Sequence, residues 1–234
     1  MIVYSGTINK FNQDVDQGII ADQIKLELQK RNIAHGNDSE FRSWDNSLIR
    51  MKNVINTPEI DANIHVAIEY QIPTTSKRVD FIVSGKDEKD QDHVIIIELK
   101  QWEKAEKTSR EDLVTTFLAG SNRAVTHPSY QVHSYAKIIE HYNEYVQNQK
   151  INLHPCCYLH NYTEAHRHEI DNPLYDHITK LAPLYLKQDA LKLRAFIAKH
   201  VRKADNGEIL YHIEHGKIRP SKVLQDSLVS MIKG

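Results

Sequence analysis

Two apolar stretches decide the fold of this chain: Arg78–Ser84, which reads RVDFIVS, and His93–Gln101, which reads HVIIIELKQ. β-branched residues dominate both stretches, and such runs are typical of buried strands. His65–Ile72 comes just before them and alternates in polarity as HVAIEYQI. We therefore predict an antiparallel meander of three strands, of which the third is buried on both faces.

Three charged residues interrupt these apolar strands. Glu98 and Lys100 are two residues apart and therefore point to the same face of a strand. Asp80 lies 98 − 80 = 18 residues before Glu98, so a hairpin between the two strands places the carboxylates side by side. Burying such charges costs several kcal/mol unless they are paired or metal-bound. The sequence therefore predicts either a divalent-cation site or a structural ion pair that closes the sheet.

A cation at this position has a chemical use. Carboxylate oxygens favour Mg²⁺ or Mn²⁺ over zinc. A Mg²⁺ ion held by Asp80 and Glu98 lowers the pKa of a water and neutralises charge that develops on a cleaved phosphodiester. Lys100 is then placed to orient or activate the attacking water and to stabilise the transition state. These three residues predict a metal-dependent phosphodiester hydrolase.

At these residues the sequence resembles the PD-(D/E)xK nuclease superfamily, with Asp80 on one strand and an ELK motif ending in Lys100 on the next. The segment QVHSY, from Gln131 to Tyr135, also fits the Q-x-x-x-Y signature of RecB-like nucleases. In that group the Gln and the Tyr lie near the scissile strand. Residues i and i+4 share a helix face, so both side chains can point at one site. The resemblance implies a catalytic role for Gln131 and Tyr135.

The chain departs from the superfamily pattern at one position and leaves another open. The residue before Asp80 is Val79 rather than proline, which the superfamily tolerates. The superfamily often takes a further acidic metal ligand from its first core helix or first strand, and here Glu40 and Glu69 are the two candidates. Glu40 also lies in the first turn of a predicted helix, where the helix dipole favours any carboxylate. The choice between the two stays open on the sequence.

A wider resemblance covers most of the chain. It is similar to the N-terminal region of bacterial nuclease–helicase fusions related to the Schlafen-type helicases, in the stretches EFRSWDNSL, AIEYQIPTTSKRVDFI, IIIELKQW, THPSYQ, HPCCYLHNY and NGEILYHIEHGKIRPSK. A P-loop ATPase follows this region in those proteins, whereas no G-x-x-x-x-G-K-[ST] motif occurs here. The resemblance implies an excised or free-standing nuclease part that cuts DNA in preference to RNA, with a P-loop helicase or ATPase acting in cis or in trans. A role in antiviral defence or DNA repair follows from the resemblance alone.

The order of elements and the resemblance together indicate an α/β fold. We expect a PD-(D/E)xK restriction-endonuclease-like core over residues 1–165, in which a mixed sheet with the three-strand meander is flanked by helices. We expect a mainly helical C-terminal extension over residues 166–234, packed on the core and a candidate junction to the helicase. The other predicted elements are a strand at Ile2–Thr7, a helix at Ile19–Arg31, a loop at Ala34–Ser39, a helix from Asp38 or Ser39 to Asn56, a hairpin of Leu113–Phe117 and Arg123–Thr126, a helix at Ser129–Gln147, a strand at Ile151–His160 that is irregular at Pro155, helices at Pro173–Leu181 and Asp189–Arg202, a hairpin of Ile209–Ile213 and Lys217–Arg219, and a helix at Lys222–Ile232.

Bulk composition gives weaker information. The 234 residues carry a net charge of −1, which does not mark a nucleic-acid binder. From Lys187 onward, however, ten Lys and Arg stand against five Asp and Glu, so this part has a net charge of +5. It is either a track for a phosphate backbone or a solvated helical face. The two cysteines favour a reducing, cytoplasmic compartment, and we expect neither a signal peptide nor a membrane span.

Several further residues have two interpretations. Gln101 and Trp102 either extend the site or simply end a strand, and His160-Asn161-Tyr162 either lines the substrate cleft or has no role there. A zinc site is a weaker hypothesis because no C-x-x-C pair is present. It would draw on the residues His154, Cys156, Cys157, His160, His166 and His168.

Two other functions stay open on the sequence. One is a catalytically silent nuclease-fold domain that binds nucleic acid or regulates an ATPase or helicase partner. The other is a protein-interaction domain with affinity for neither metal nor nucleic acid. A pure binder gains little from buried acids that face phosphate, and its binding of nucleic acid would not need Mg²⁺.

Overall fold

A six-stranded sheet forms the centre of the structure. The computed structural model describes residues 1–31, 38–118 and 120–233, with 38–43 and 233 described in the backbone alone. In chain order the strands are β1 (Ile2–Thr7), β2 (His65–Gln71), β3 (Arg78–Lys86), β4 (Asp92–Lys100), β5 (Glu106–Lys107), β6 (Leu113–Leu118), β7 (Ser121–Thr126), β8 (Asn152–Leu159) and β9 (Leu184–Leu186). The helices are α1 (Ile8–Asp16), α2 (Ile20–Lys30), α3 (Asp38–Ile55), α4 (Pro128–Tyr142), α5 (Glu144–Gln149), α6 (Arg167–Ile170), α7 (Asp176–Thr179), α8 (Ala190–His200), α9 (Glu208–His215) and α10 (Lys222–Lys233).

The sheet has mixed topology. Its order is β1-β2-β3-β4-β8-β9, and the first four strands pair antiparallel while β8 and β9 join parallel. The prediction of an antiparallel meander is confirmed, with Ile68 opposite Phe81 and Phe81 opposite Ile97. The predicted hairpin is β6–β7, which forms a separate three-stranded sheet with β5. The chain therefore has a mixed α/β fold with helices flanking a mixed sheet.

Apolar side chains fill both faces of the main sheet. One cluster packs the sheet against α4, α5 and α9, and includes Ile96, Ile139 and Ile209. The other packs the opposite face against α1, α2, α3 and α8, and includes Ile95 and Leu28. Alternate residues of β4 enter the two clusters, as the period of a strand requires. This confirms that β4 is buried on both faces, and full burial of each such side chain contributes about 1.5–3 kcal/mol.

Pro155 does not disturb its strand, contrary to the prediction of an irregular β8. It pairs in regular register with Ile96 of β4. The backbone N–H of Cys157, two residues later, points away from β4 and donates to the carbonyl of Pro183. The nitrogen of Pro155 points to the same side, but β9 pairs only with residues from Cys157 onward. A missing N–H at Pro155 therefore costs no ladder hydrogen bond.

The predicted hairpin around His215-Gly216 is wrong, because its first strand is the helix α9. Ile209, Leu210 and Ile213 are buried together, at a spacing that fits a helix face as well as a short strand. The buried carboxylate of Asp205 favours the helix over the strand. Its Oδ2 accepts the backbone N–H of Ile209 at 2.8 Å and satisfies a donor at the start of the helix.

Asn143 divides the predicted helix Ser129–Gln147 into α4 and α5. Its backbone is extended, and its side-chain oxygen accepts the N–H of Val146 at 3.1 Å, which starts a second helix. Its side-chain amide donates to the carbonyl of Ile213 at 2.8 Å, which fixes α9 against this break. A side chain that caps a helix from within an apolar pattern gives no periodic signal.

The remaining predicted elements differ mainly at their ends. The predicted helix Pro173–Leu181 is reduced to the single turn of α7, and α1 and β9 were not predicted. Thr7 caps α1, since its hydroxyl accepts the N–H of Lys10, and Ile8 and Phe11 bury its inner face. Residues 34–37 of the predicted loop lie outside the described residues, and residues 38 and 39 belong to α3. The division at residue 165 stays a prediction, although β9 shows that the later segment adds a strand to the main sheet.

In the described part of the chain, none of the helices combines the length and the apolar character needed to span a bilayer.

The cap of α9 yields a first prediction. Replacing Asp205 with alanine leaves the N–H of Ile209 without its partner, so we expect the free energy of unfolding to fall by about 1–2 kcal/mol. Urea unfolding followed by circular dichroism measures this change. Asp226→Ala, at an exposed position of α10, serves as the control and should leave stability unchanged. Equal effects of the two substitutions would contradict the role of Asp205.

Candidate active site at the end of the central strands

The predicted carboxylates meet where β4 ends and β3 begins. The last regular pair of these strands is Phe81 with Ile97, so Asp80 and Glu98 are the next residues on each strand. Beyond that pair the ladder stops, and the Asp80 carboxylate takes the place of a strand partner. Its Oδ2 accepts the backbone N–H of Leu99 at 2.8 Å. The parting of β3 and β4 thus creates the opening in which both acids lie.

Glu98 is the most deeply placed group of this site, with 2% of its surface exposed. Its Oε1 accepts hydrogen bonds from Lys100 Nζ at 2.5 Å and from Gln131 Nε2 at 2.7 Å. Its Oε2 is buried and has no hydrogen-bond donor among the described residues. The neighbouring group is the carboxylate of Asp80, which interacts with it electrostatically. Two acceptors that face each other need a proton or a cation between them.

The electrostatics of the site reflect this arrangement. Burial, and then the negative charge of Asp80, raise the pKa of Glu98 to about 8. Burial also raises the pKa of Asp80, although Lys100 and the N–H of Leu99 act in the opposite direction. Burial by itself would lower the pKa of Lys100, but the two carboxylates outweigh it and raise that pKa. Burial and the repulsion between the two acids therefore favour a proton bound to the carboxylate pair, while Lys100 stays charged.

The helix α4 supplies the two residues of the Q-x-x-x-Y motif. Gln131 Nε2, which reaches Glu98, also donates to the hydroxyl oxygen of Tyr135 at 2.8 Å. Tyr135 is buried, and burial followed by the charge of Glu98 raises its pKa. Pro128 begins the helix, and the ring of His127 accepts the N–H of Ser129, which fixes its first turn against the core. The structure therefore brings together all five predicted catalytic residues: Asp80, Glu98, Lys100, Gln131 and Tyr135.

Of the two further acidic candidates, only Glu69 has a described side chain. The register of β2 and β3 places Glu69 opposite Asp80. The backbone of Glu69 has a φ of 56°, a left-handed value that is uncommon for a residue other than glycine. Its two oxygens contact Trp44 Nε1 at 2.9 Å and Arg78 Nη1 at 2.9 Å. Glu69 and Asp80 line a common cavity of about 100 Å³. The side chain of Glu40 lies outside the described residues.

A larger groove opens on the other side of Lys100. Its volume is about 690 Å³, and α4 and the β5–β6–β7 sheet form its walls. Lys77 and Lys100 bring positive charge to it, and Trp102 and Tyr130 bring aromatic rings. A second groove of about 530 Å³ shares Trp102 and continues along the small sheet. The site residues thus lie between a small cavity and a larger groove.

A network of hydrogen bonds supports the ends of β4 and β8. It includes Ser47 of α3, which was not predicted from the sequence. Its hydroxyl contacts His160 Nε2 at 3.0 Å and accepts from Gln101 Nε2 at 3.1 Å. The side chain of Asn161 donates to the carbonyl of Gln101 at 3.3 Å. Gln101, His160 and Asn161 therefore brace the strand ends, whereas Tyr162 is fully buried in the core. Nothing in the sequence near Ser47 marks it out.

The histidines and cysteines of the hypothetical zinc stretch are not gathered in one place. Cys156 and Cys157 are fully buried in opposite cores because they are neighbours on a strand. Burial raises the pKa of both thiols, which disfavours the thiolates that would bind metal. Burial, with the nearby His200 and His93, lowers the pKa of His154 to about 4.

Several cations of the basic segment from Lys187 onward contact other groups of the fold. Arg194 donates to backbone carbonyls of α3, and four other cations of the segment contact carboxylates. These contacts leave less free positive charge than the sequence suggests. A phosphate track along this segment stays a prediction.

Comparison with known proteins adds no assignment. The chain matches no protein-family model, no curated protein and no solved structure.

The raised pKa of Glu98 makes stability depend on pH. This carboxyl titrates near 4.5 when exposed and near 8 in the fold, so the folded state binds the proton more tightly. Its contribution to stability is greatest below pH 4.5 and is lost as the pH rises through 8. The Glu98→Gln variant has no carboxyl to titrate at this position. Between pH 5 and pH 9 we therefore expect the free energy of unfolding of the wild type to fall relative to that of the variant.

Urea unfolding at several pH values in EDTA measures this difference. Glu140→Gln, on α4 with its side chain 47% exposed, is the matched control and should follow the wild-type profile. Parallel profiles of wild type and Glu98→Gln would show that Glu98 titrates as an ordinary carboxyl.

Proposed function

We propose that this chain is a metal-dependent nuclease of the PD-(D/E)xK type, which hydrolyses phosphodiester bonds of DNA. The observation that supports it best is the convergence of Asp80, Glu98 and Lys100, with Glu98 Oε2 buried and without a donor among the described residues. Preference for DNA over RNA, and a P-loop helicase or ATPase as partner, rest on the resemblance of the sequence to nuclease–helicase fusions.

The donor set of the site fits Mg²⁺ or Mn²⁺. Asp80 and Glu98 offer hard carboxylate oxygens and no nitrogen or sulfur ligand, which suits these ions. A divalent cation would also satisfy Glu98 Oε2 and offset the repulsion between the two acids. Glu69 lines the same cavity as Asp80 but already contacts Trp44 and Arg78. We therefore propose Asp80 and Glu98 as the main ligands, with Glu69 or Glu40 as the source of a further oxygen.

The protein's own groups divide the work of hydrolysis. When bound, the cation would supply the positive charge that activates water and neutralises a phosphodiester oxygen. Lys100 contacts Glu98, keeps its ammonium charged under the influence of both carboxylates and lines the groove, so it can hold the attacking water and stabilise negative charge on the phosphate. Gln131 holds the Glu98 carboxylate in place, and Tyr135 holds Gln131.

A silent nucleic-acid-binding or regulatory domain is the second candidate. One observation favours it: Lys100 Nζ lies 2.5 Å from Glu98 Oε1 and forms an ion pair with it, as a purely structural pair would. Such a domain would keep the fold and the groove and would bind nucleic acid equally well in EDTA. Cleavage assays separate the two candidates directly.

Substitution of the three central residues tests the proposed function. We expect wild-type protein to cut circular single- or double-stranded DNA with Mg²⁺ or Mn²⁺ but not with EDTA. Asp80→Asn, Glu98→Gln and Lys100→Met should each lower the cleavage rate by roughly 10²–10³-fold or more, because each removes charge that acts in the transition state. Gel analysis of supercoiled and nicked products measures the rate and distinguishes an endonuclease.

Lys137→Met is the control for this series, because Lys137 is an exposed residue of α4 outside the site. It should retain full activity. Full activity in all three site variants would overturn the proposal. Metal-independent binding without any cleavage by the wild type would support the silent domain instead.

The groove beside the site yields a separate prediction about binding. The ring of Trp102 lies 5.6 Å from Lys100 Nζ and lines both grooves. An aromatic ring at this place can stack on a nucleobase, which contributes about 1–3 kcal/mol per base. We expect Trp102→Ala to weaken binding of a single-stranded oligonucleotide roughly tenfold or more while changing kcat far less than KM.

Fluorescence anisotropy in EDTA measures this binding without cleavage. Tyr211→Ala removes an exposed ring of α9 and should have no effect. Equal affinity of Trp102→Ala and wild type would place the substrate outside this groove.

A further inference from the structure

Three histidines converge at the opposite end of β4 from the carboxylates. His93 lies at the start of β4, His154 at the start of the neighbouring β8, and His200 ends α8. One ring nitrogen from each lies within 4.8 Å of the others. His93 and Glu98 are five residues apart on the same strand, which separates the two ends by about 16 Å. This group is therefore distinct from the proposed nuclease site.

The three rings face one another closely. His93 Nδ1 lies 2.8 Å from His154 Nε2, and the rings of His154 and His200 stack with centroids 3.8 Å apart. Among the described residues, the possible ligands that meet here are these three histidines. Imidazole nitrogens without hard oxygen ligands suit zinc and its neighbours in the transition series rather than Mg²⁺. Three histidines with an open fourth position form a known type of zinc coordination.

The surroundings of His93 favour the tautomer that a metal needs. Its Nε2 is buried, has no hydrogen-bond partner among the described residues, and lies 3.4 Å from Asp87 Oδ2. The other oxygen of Asp87 accepts the backbone N–H groups of Lys89 and Gln91, which hold the carboxylate in place. A carboxylate beside one nitrogen keeps the proton there and leaves the lone pair of the other free. For His93 the lone pair then lies on Nδ1, 2.8 Å from His154 Nε2, and a bound ion would take the place of the proton between these two nitrogens.

We propose that His93, His154 and His200 bind one Zn²⁺ ion, with Asp87 as the residue that orients His93. His154 and His200 are partly exposed, so the ion can enter from solvent. The bound ion joins β4, β8 and α8, three elements from distant parts of the chain. It therefore stabilises the attachment of α8 to the centre of the sheet. This proposal does not depend on the nuclease function.

Isothermal titration of the metal-free full chain with Zn²⁺ tests this site. We expect one Zn²⁺ per chain. Because His154→Gln or His200→Gln each removes a direct ligand, we expect either to lower the affinity by at least the roughly 10- to 100-fold that loss of a ligand-orienting residue costs. His168→Gln is the matched control, since His168 is largely exposed and outside the cluster. It should bind Zn²⁺ like the wild type. Wild-type binding no tighter than in the two variants, or an equal loss in the control, would overturn the proposal.

Two further measurements make the result independent of variant folding and of the nuclease site. Co²⁺ added to the wild type should give the visible absorption of a four-coordinate imidazole site, and its absence would contradict the proposal. Glu98→Gln should retain Zn²⁺ binding and the Zn²⁺-induced rise in thermal stability. Loss of both in Glu98→Gln would show that Zn²⁺ binds at the carboxylates instead.

Discussion

The burial of Glu98 at the end of β4 is the constraint on which the rest of the site depends. A carboxylate in that position is tolerated only with donors at hand, and Lys100 and Gln131 supply them to one oxygen. The contact with Gln131 fixes the rotation of α4 against the sheet. The other oxygen shares its space with Asp80, so β3 and β4 must part there. An apolar residue of similar size would avoid this cost, which is why we interpret the arrangement in terms of chemistry rather than stability.

Much of this site follows from local rules and was predictable. Glu98 and Lys100 share a face because strands have a period of two, and Gln131 and Tyr135 meet because a helix brings i and i+4 together. The short connection between the two strands was enough to place Asp80 beside Glu98. The meander and the double burial of β4 followed in the same way from runs of β-branched residues. Each of these inferences needs only residues close in sequence.

The features that escaped prediction depend on contacts between distant residues. Ile209–Ile213 was expected to be a strand because five residues are too few to establish a period, and the cap from Asp205 decides for a helix. Glu69 was a candidate ligand, but its pairing with Trp44 and Arg78 depends on how α3 crosses the sheet. The sequence grouped the wrong zinc ligands, because Cys156 and Cys157 face opposite cores as neighbours on a strand, whereas His154 meets His93 and His200 from other elements.

The two proposed cation sites share β4 and differ in ligand chemistry. Carboxylates lie at its carboxyl end and histidines at its amino end, so a hard ion and a borderline ion do not compete for the same ligands. His93 meets His154, 154 − 93 = 61 residues later, because β4 and β8 are parallel neighbours. That same pairing places Lys100 beside Leu159 and the supporting His160 at the other end. The buried strand β4 therefore contributes residues to both sites, and its neighbours β3 and β8 add Asp80 at one end and His154 at the other.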